Sequence, residues 1–172
     1  GKDVSIVRTI AAQGQEGDID IASGQGDIIV GNTVNSDEGN VSLQSGNGDI
    51  LVGQDITAGQ AVSITSQQGQ VVVGDVTTGE GDILAKNGDV SIQAGQDVSI
   101  VKTVTAKDQE GSGEQGSINI TSGQGDITVG ADVKADTDVS MKTTVEGDIT
   151  VGANVTAGND VSMETAVEGD IL

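Results

Sequence analysis

From residue 125 onward, apolar and polar positions alternate in short runs that return every 22 residues. Residues 125–146 read GDITVGADVKADTDVSMKTTVE, and residues 147–168 read GDITVGANVTAGNDVSMETAVE. Sixteen of the 22 positions are identical without a gap, and the phrase begins again as GDIL at Gly169. Each unit holds three alternating runs, which in the second copy are 148–151, 154–157 and 160–163. Alternation sends Ile149 and Val151 to one face and Asp148 and Thr150 to the other. Val155 with Ala157, and Val161 with Met163, behave in the same way. A fixed period marks a solenoid, in which one unit cannot bury its apolar face alone. Three strands and three corners per unit predict an all-β fold, a parallel β-helix (β-solenoid). Its apolar triangle lies inside, under a polar skin. Successive coils are expected to stack about 4.8 Å apart.

The same phrases can be followed back through the chain. Predicted coils open with GDI-type phrases at Gly26, Gly48 and Gly69. The first coil takes 3–7, 9–12 and 18–23. The fourth takes 70–73, 75–77 and 82–85. The phrase GDVSIQ at 88–93 then breaks the register. It reads as a fourth side, a bulge or a coil short of one strand. From Asp97 the pattern resumes: DVSIV at 97–101 repeats DVSIV at 3–7, and GSINITSGQGDITVG at 116–130 echoes GDIDIASGQGDIIVG at 17–31. The offset between the blocks grows from 94 to 99, so five residues are inserted near 111–115. The polar stretch 107–115 is therefore expected to be a loop on one edge of the prism. The count comes to roughly eight coils, in a single solenoid segment spanning 1–172. Both ends cut through repeats, so a piece of a longer array is expected.

Composition fits this picture. Hydrophobic residues make up 34 % of the chain, and Phe, Tyr, Trp, Cys and His are absent. A thin β-helix interior can be filled by Ile, Val, Leu and Ala, without the aromatic bulk a compact core leans on. The lack of Pro suits unbroken backbone ladders. The 27 glycines are expected to supply corners with positive φ. A net charge of −20 argues against nucleic acid and against anionic membrane surfaces. No apolar run reaches the roughly 18 residues of a membrane span.

The phrase GDVSIQAGQDVSI at 88–100, with the recurrent GDI-x-V and DVS-hydrophobic phrases, resembles the repeats of filamentous haemagglutinin-like adhesins. These are large exoproteins of bacterial two-partner secretion. The resemblance covers most of the chain. It implies a right-handed parallel β-helix, export to the cell surface, and adhesion or biofilm work. The secretion domain of that family carries Asn-Pro motifs. This chain has no Pro, so it matches the repetitive shaft, which has no catalytic residues to transfer.

Candidate chemistry is sparse. Asp27, Asp49, Asp82, Asp126, Asp148 and Asp170 each follow Gly and open a strand phrase. Asp126, Asp148 and Asp170 should form one column, in which like charges 4.8 Å apart repel by roughly 1 kcal/mol. Calcium would relieve that repulsion. Turn chemistry, with each carboxylate capping nearby amides, explains the same residues. Thr57, Thr77, Thr105 and Thr156 suggest an outward Thr column of the kind a flat ice-binding face would use, although Lys134 interrupts it. The bland alternative is β-branched residues on a pleated surface. The Gly-x-Gly phrases at 24–26, 46–48 and 123–125 precede strands rather than a helix, which argues against a phosphate loop. Met141 and Met163 fall at matching inward positions as core fillers. Without His or Cys the common nucleophile–base pairs are missing. No enzyme activity, catalytic residue or resident cofactor is expected, with calcium the one ion the Asp column would admit.

The function expected is a structural shaft of an exported bacterial adhesin or surface fibre, extracellular or on the cell surface. Its partners would be neighbouring coils, copies of itself, or host and cell-surface ligands held on loops. No nucleic acid partner and no membrane insertion are expected. The alternatives are a filament subunit that polymerises head to tail through open β edges, and a calcium- or ice-binding solenoid module.

Overall fold

A computed structural model describes residues 2–14, 17–108, 116–166 and 168–172. Its strands fall into coils of three. The first coil holds β1 (Val4–Ile6), β2 (Ile10–Ala12) and β3 (Ile19–Ser23). The second holds β4 (Ile28–Val30), β5 (Val34–Ser36) and β6 (Val41–Ser45). The third holds β7 (Ile50–Val52), β8 (Ile56–Ala58) and β9 (Val62–Ser66). The fourth holds β10 (Val71–Val73), β11 (Ile83–Ala85) and β12 (Val90–Ala94). The fifth holds β13 (Val98–Ile100), β14 (Val104–Ala106) and β15 (Ile118–Ser122). The sixth holds β16 (Ile127–Val129), β17 (Val133–Ala135) and β18 (Val139–Thr143). The seventh holds β19 (Ile149–Val151), β20 (Val155–Ala157) and β21 (Val161–Glu164).

Every third strand pairs in parallel, giving three sheets of seven strands along a common axis. The molecule is therefore a parallel β-helix of triangular section. Seven coils are complete, and the bridge Ile149↔Ile171 begins an eighth. Residues one period apart lie over one another: Ile127 pairs Ile149, Val133 pairs Val155, and Met141 pairs Met163.

The core consists of seven inward columns. One is Ile28, Ile50, Val71, Val98, Ile127 and Ile149, all at 1 % exposure or less. Where the coil narrows between the second and third sheets, Ala58, Ala85, Ala106 and Ala135 fill the corner. Leu43, Ile64, Ile92, Ile120 and Met141 line the longer third sheet, and Met163 packs against them from the last coil. Each buried Ile or Val contributes roughly 1.5–3 kcal/mol. Burial thins at the last coil, where Val161 is 47 % exposed, because only one neighbouring coil covers it.

Two register readings are corrected here. The phrase at 88–93 is neither a fourth side nor a bulge: Val90–Ala94 is the ordinary third strand of the fourth coil and pairs with β9 and β15. The alternating residues 75–77 are not a strand. They belong to a protruding loop between β10 and β11, in which Gly79 N–H donates to Asp75 O at 2.8 Å and Val76 is 85 % exposed. Ile83–Ala85 is consequently the second strand of that coil, not its third. The expected insertion near 111–115 lies outside the described residues. The register across it is clear, since Val104 pairs Val133 and that coil spans 29 residues.

The glycines work differently from expectation. Among the described glycines, positive φ occurs only at Gly14, Gly74, Gly79, Gly81 and Gly147. Most corner glycines are needed for close approach between coils. A Cβ on Gly48 would lie 2.5 Å from Asp27 Oδ1.

Candidate functional site

The corners carry the most regular chemistry. In each coil the residue just before the first inward side chain of a strand is commonly Asp or Asn. Its side chain accepts the backbone N–H of its counterpart one coil further on. At the corner leading into the first sheet, Asp3 Oδ1 accepts from Asp27, Asp27 from Asp49, and Asp49 from Gln70, at 2.9–3.1 Å. Asp97 Oδ1 accepts from Asp126, Asp126 from Asp148, and Asp148 from Asp170, at 2.7–2.9 Å. The corner leading into the second sheet repeats this: Asp55 Oδ1 accepts from Asp82, Asp82 from Thr103, and Asp132 from Asn154. At the third corner Asp18 Oδ1 accepts from Asn40, Asn40 Oδ1 from Ala61, and Asp89 Oδ1 from Ser117.

The six aspartates singled out by the sequence thus divide. Asp27, Asp49, Asp126, Asp148 and Asp170 share the first corner, with Asp126, Asp148 and Asp170 in consecutive coils as the period requires. Asp82 belongs to the second corner, because the loop ahead of it shifts its phrase by one side. The capping is axial rather than local: the amide satisfied lies one coil away, not two residues away. Among the described residues no group of three or more acidic, His or Cys side chains is arranged to hold a metal ion.

A second polar column lies inside, and sequence reasoning missed it. Ser23, Ser45, Ser66, Ser122 and Thr143 end the strands of the third sheet and are buried. Ser45 Oγ accepts from Gly48 N at 2.9 Å and donates to Gly26 O of the preceding coil at 3.1 Å. Ser66 repeats this with Gly69 N and Gly48 O. A buried hydroxyl is tolerated when its hydrogen bonds are made. Among the described residues every buried side-chain N or O atom has a partner. The signal is the recurrent Ser-x-x-Gly spacing of 23–26, 45–48, 66–69 and 122–125.

The outward Thr column is discontinuous. The register along the second sheet runs Asn35, Thr57, Leu84, Thr105, Lys134, Thr156. Thr77 is absent from it and lies on the loop, with its N–H donated to Asp75 Oδ1 at 2.7 Å. Leu84 and Lys134 break the flat hydroxyl array. Between these two larger side chains the short Thr105 leaves a groove of about 400 Å³, lined also by Asp82, Ile83, Thr103 and Lys107. A second groove of about 450 Å³ lies at the corner of Gln67, Gln68, Gln124 and Val145. The polar skin expected outside also fails on the first sheet, where Ile29, Leu51 and Val72 point outward in consecutive coils.

Among the described residues, the carboxyls of Asp75 and Asp132 are displaced from the ordinary range. Asp75 is held below it by the Thr77 backbone amide. Asp132 is held below it by the Lys134 ammonium and then by the Asn154 amide.

Comparison with known proteins finds no matching family model, no matching curated protein and no matching solved structure.

Proposed function

We propose that this chain is the shaft segment of an exported bacterial adhesin or surface fibre, a rigid rod that spaces binding elements away from a surface. The observation that carries the reading is the continuity of three seven-stranded parallel sheets along one axis. Axial backbone ladders, corner carboxylates and buried hydroxyls all join coil to coil, so bending the rod would break many bonds together. The resemblance of the GDI and DVS phrases to haemagglutinin-like repeats supplies the extracellular setting. Immunogold labelling of intact source cells with antibodies to this segment tests it. Label on filaments outside the envelope is expected, and label confined to the cell interior would remove the reading.

A second reading is a filament subunit. In it another copy would pair with the outer edges of β1, β2 and β3 in the first coil or of β20 and β21 in the last. Fibres that grow with concentration favour it, whereas a monodisperse rod counts against it. The calcium version has less support, because the Oδ1 atoms of the column are already engaged by amides. The ice-binding version loses its flat array at Leu84 and Lys134.

A further inference from the structure

Cations are scarce on this chain, seven against 27 acidic residues, yet they are not spread evenly. Lys86, Lys102, Lys107 and Lys134 all lie on β11, β14 and β17 or within two residues of their ends. These strands are neighbours in the second sheet. The groove over Thr105 lies among them, with Lys107 and Lys134 in its lining. The fold does not require lysine at either place. Thr156 holds the position of Lys134 one coil on. Asp136 and Gly158 make the same backbone bond that Lys107 makes. Lys134 is exposed and pairs at the rim with Asp132. Lys102 stands 4.0 Å from Asp82.

We propose that this groove binds a sugar acid, a hydroxylated ring bearing one carboxylate. The lining matches that mixture. The ammoniums of Lys107 and Lys134 suit the carboxylate. The Thr103 and Thr105 hydroxyls suit ring hydroxyls, and the Asp82 carboxylate accepts from a hydroxyl donor. The outward Leu84 side chain offers an apolar floor for the C–H face of the ring, while Ile83 beside it turns into the core. A bare phosphate or sulfate would leave that floor unused and would face Asp82. A neutral sugar would leave both lysines unused. The net charge of −20 repels long polyanions, which favours a ligand carrying a single charge at the groove. Its field is screened beyond about 8 Å at physiological salt, while contacts inside the groove are not. The proposal does not depend on the shaft reading, because it concerns one face of the solenoid whatever the solenoid supports.

Amide NMR titration of the 172-residue chain tests it, with sodium glucuronate, glucose and acetate as probes. Saturable shifts with glucuronate are expected at Leu84, Thr105, Lys107 and Lys134, with glucose and acetate each much weaker. Lys134→Thr and Lys107→Gln should each weaken binding about tenfold, the loss of one charge-assisted hydrogen bond. Lys134→Thr copies the residue found at the same position one coil on, and Lys107→Gln lies outside any strand, so both should fold. An oligosaccharide of neutral sugars ending in one uronate separates the sources. Tighter binding than the free acid assigns the ligand to a polysaccharide end, and weaker binding assigns it to the free acid. The proposal is overturned if acetate matches glucuronate, if glucose matches it, if no saturable shift occurs, or if the shifts survive both substitutions.

Discussion

Asp27 and Asp49 are 22 residues apart, and Asp27 Oδ1 accepts the backbone N–H of Asp49 at 2.9 Å. The same bond recurs up the rod, so the carboxylate works as an axial clasp between coils. Its role needs an oxygen acceptor, not a charge: Asn40 Oδ1 does the same for Ala61 N at 3.1 Å. Asp27→Asn should therefore keep the clasp and remove one member of a like-charged column. Asp27→Ala should lose the clasp. Denaturant unfolding is expected to place the Ala variant about 1 kcal/mol below the parent and the Asn variant level with it or above. An Asn variant as weak as the Ala variant would show that charge, not acceptance, is what counts.

The residue before that clasp is under a different constraint. A Cβ on Gly48 would sit 2.5 Å from Asp27 Oδ1 and against the Gly26 backbone. Neither can move without opening the ladder. Gly48→Ala is expected to destabilise by roughly 1–3 kcal/mol. Gly24 provides the contrast: a methyl group there would meet nothing within 4 Å, and its φ is not positive. Gly24→Ala should be nearly silent in the same denaturant unfolding measurement.

Much of this architecture can be read in the spelling of the chain, for a physical reason. Where coils have equal length, a residue and its axial neighbour share one environment, so Ile127 over Ile149 and Met141 over Met163 follow from the period. Where a coil lengthens, local alternation misleads. The residues Asp75, Val76 and Thr77 look like a strand, but no neighbouring coil offers them an edge, and Val76 stays in solvent. The displaced phrase at 82–85 then reads as a third strand, which makes the true one at Val90–Ala94 look surplus. The buried serines are hidden for another reason. A polar letter at an inward position breaks the alternation, and its partners, such as Gly26 O for Ser45, lie a whole coil away. The groove over Thr105 needs the register itself, because Leu84, Thr105 and Lys134 are unevenly spaced in sequence.

If the loop between β10 and β11 is an addition to an intact coil, it can be removed. Val52 and Ile56 are joined by Gly53, Gln54 and Asp55, whereas Val73 and Ile83 are joined by residues 74–82. Replacing 74–82 by Gly-Gln-Asp restores the short corner and keeps a carboxylate where Asp82 clasps Thr103. Stability should change by less than about 1 kcal/mol, since loop length acts weakly on closure entropy. Unfolding of the shortened chain at room temperature would mean that the loop itself holds the coil.

The inward serines should be costly to remove. Ser45 Oγ is buried and serves both Gly48 N and Gly26 O. Ser45→Ala leaves that amide and carbonyl without the hydroxyl, a loss of about 1–3 kcal/mol. Ala94 holds the equivalent place in the fourth coil, and there the backbone compensates: Gly95 N and Gln96 N both donate to Gly69 O. That corner follows a different path, so its tolerance of Ala does not carry over. Chemical denaturation of Ser45→Ala, with Ser63→Ala on the outward face of β9 as control, checks the difference.

The acid titration of Asp132 offers a test that does not depend on global unfolding. Its carboxylate is held below the ordinary value of 3.8, first by the Lys134 ammonium and next by the Asn154 backbone amide. A depressed folded value means that the ionised form makes favourable contacts in the native state. The stability it adds is therefore fully present above the unfolded value and is lost as the pH falls through the lower, folded one. Lys134 is exposed and Asp132 only half-buried, so solvent screens the pair and the effect on stability should be small. The titration itself should still be displaced. Side-chain carboxyl NMR is expected to place the Asp132 midpoint below 3.8 in the parent chain and closer to 3.8 in Lys134→Thr. Part of the depression should survive in that variant, because the Asn154 amide still donates to Asp132 Oδ1 at 3.0 Å. A midpoint unmoved by the substitution would mean that the lysine is not held at Asp132 in solution and stands free at the groove rim.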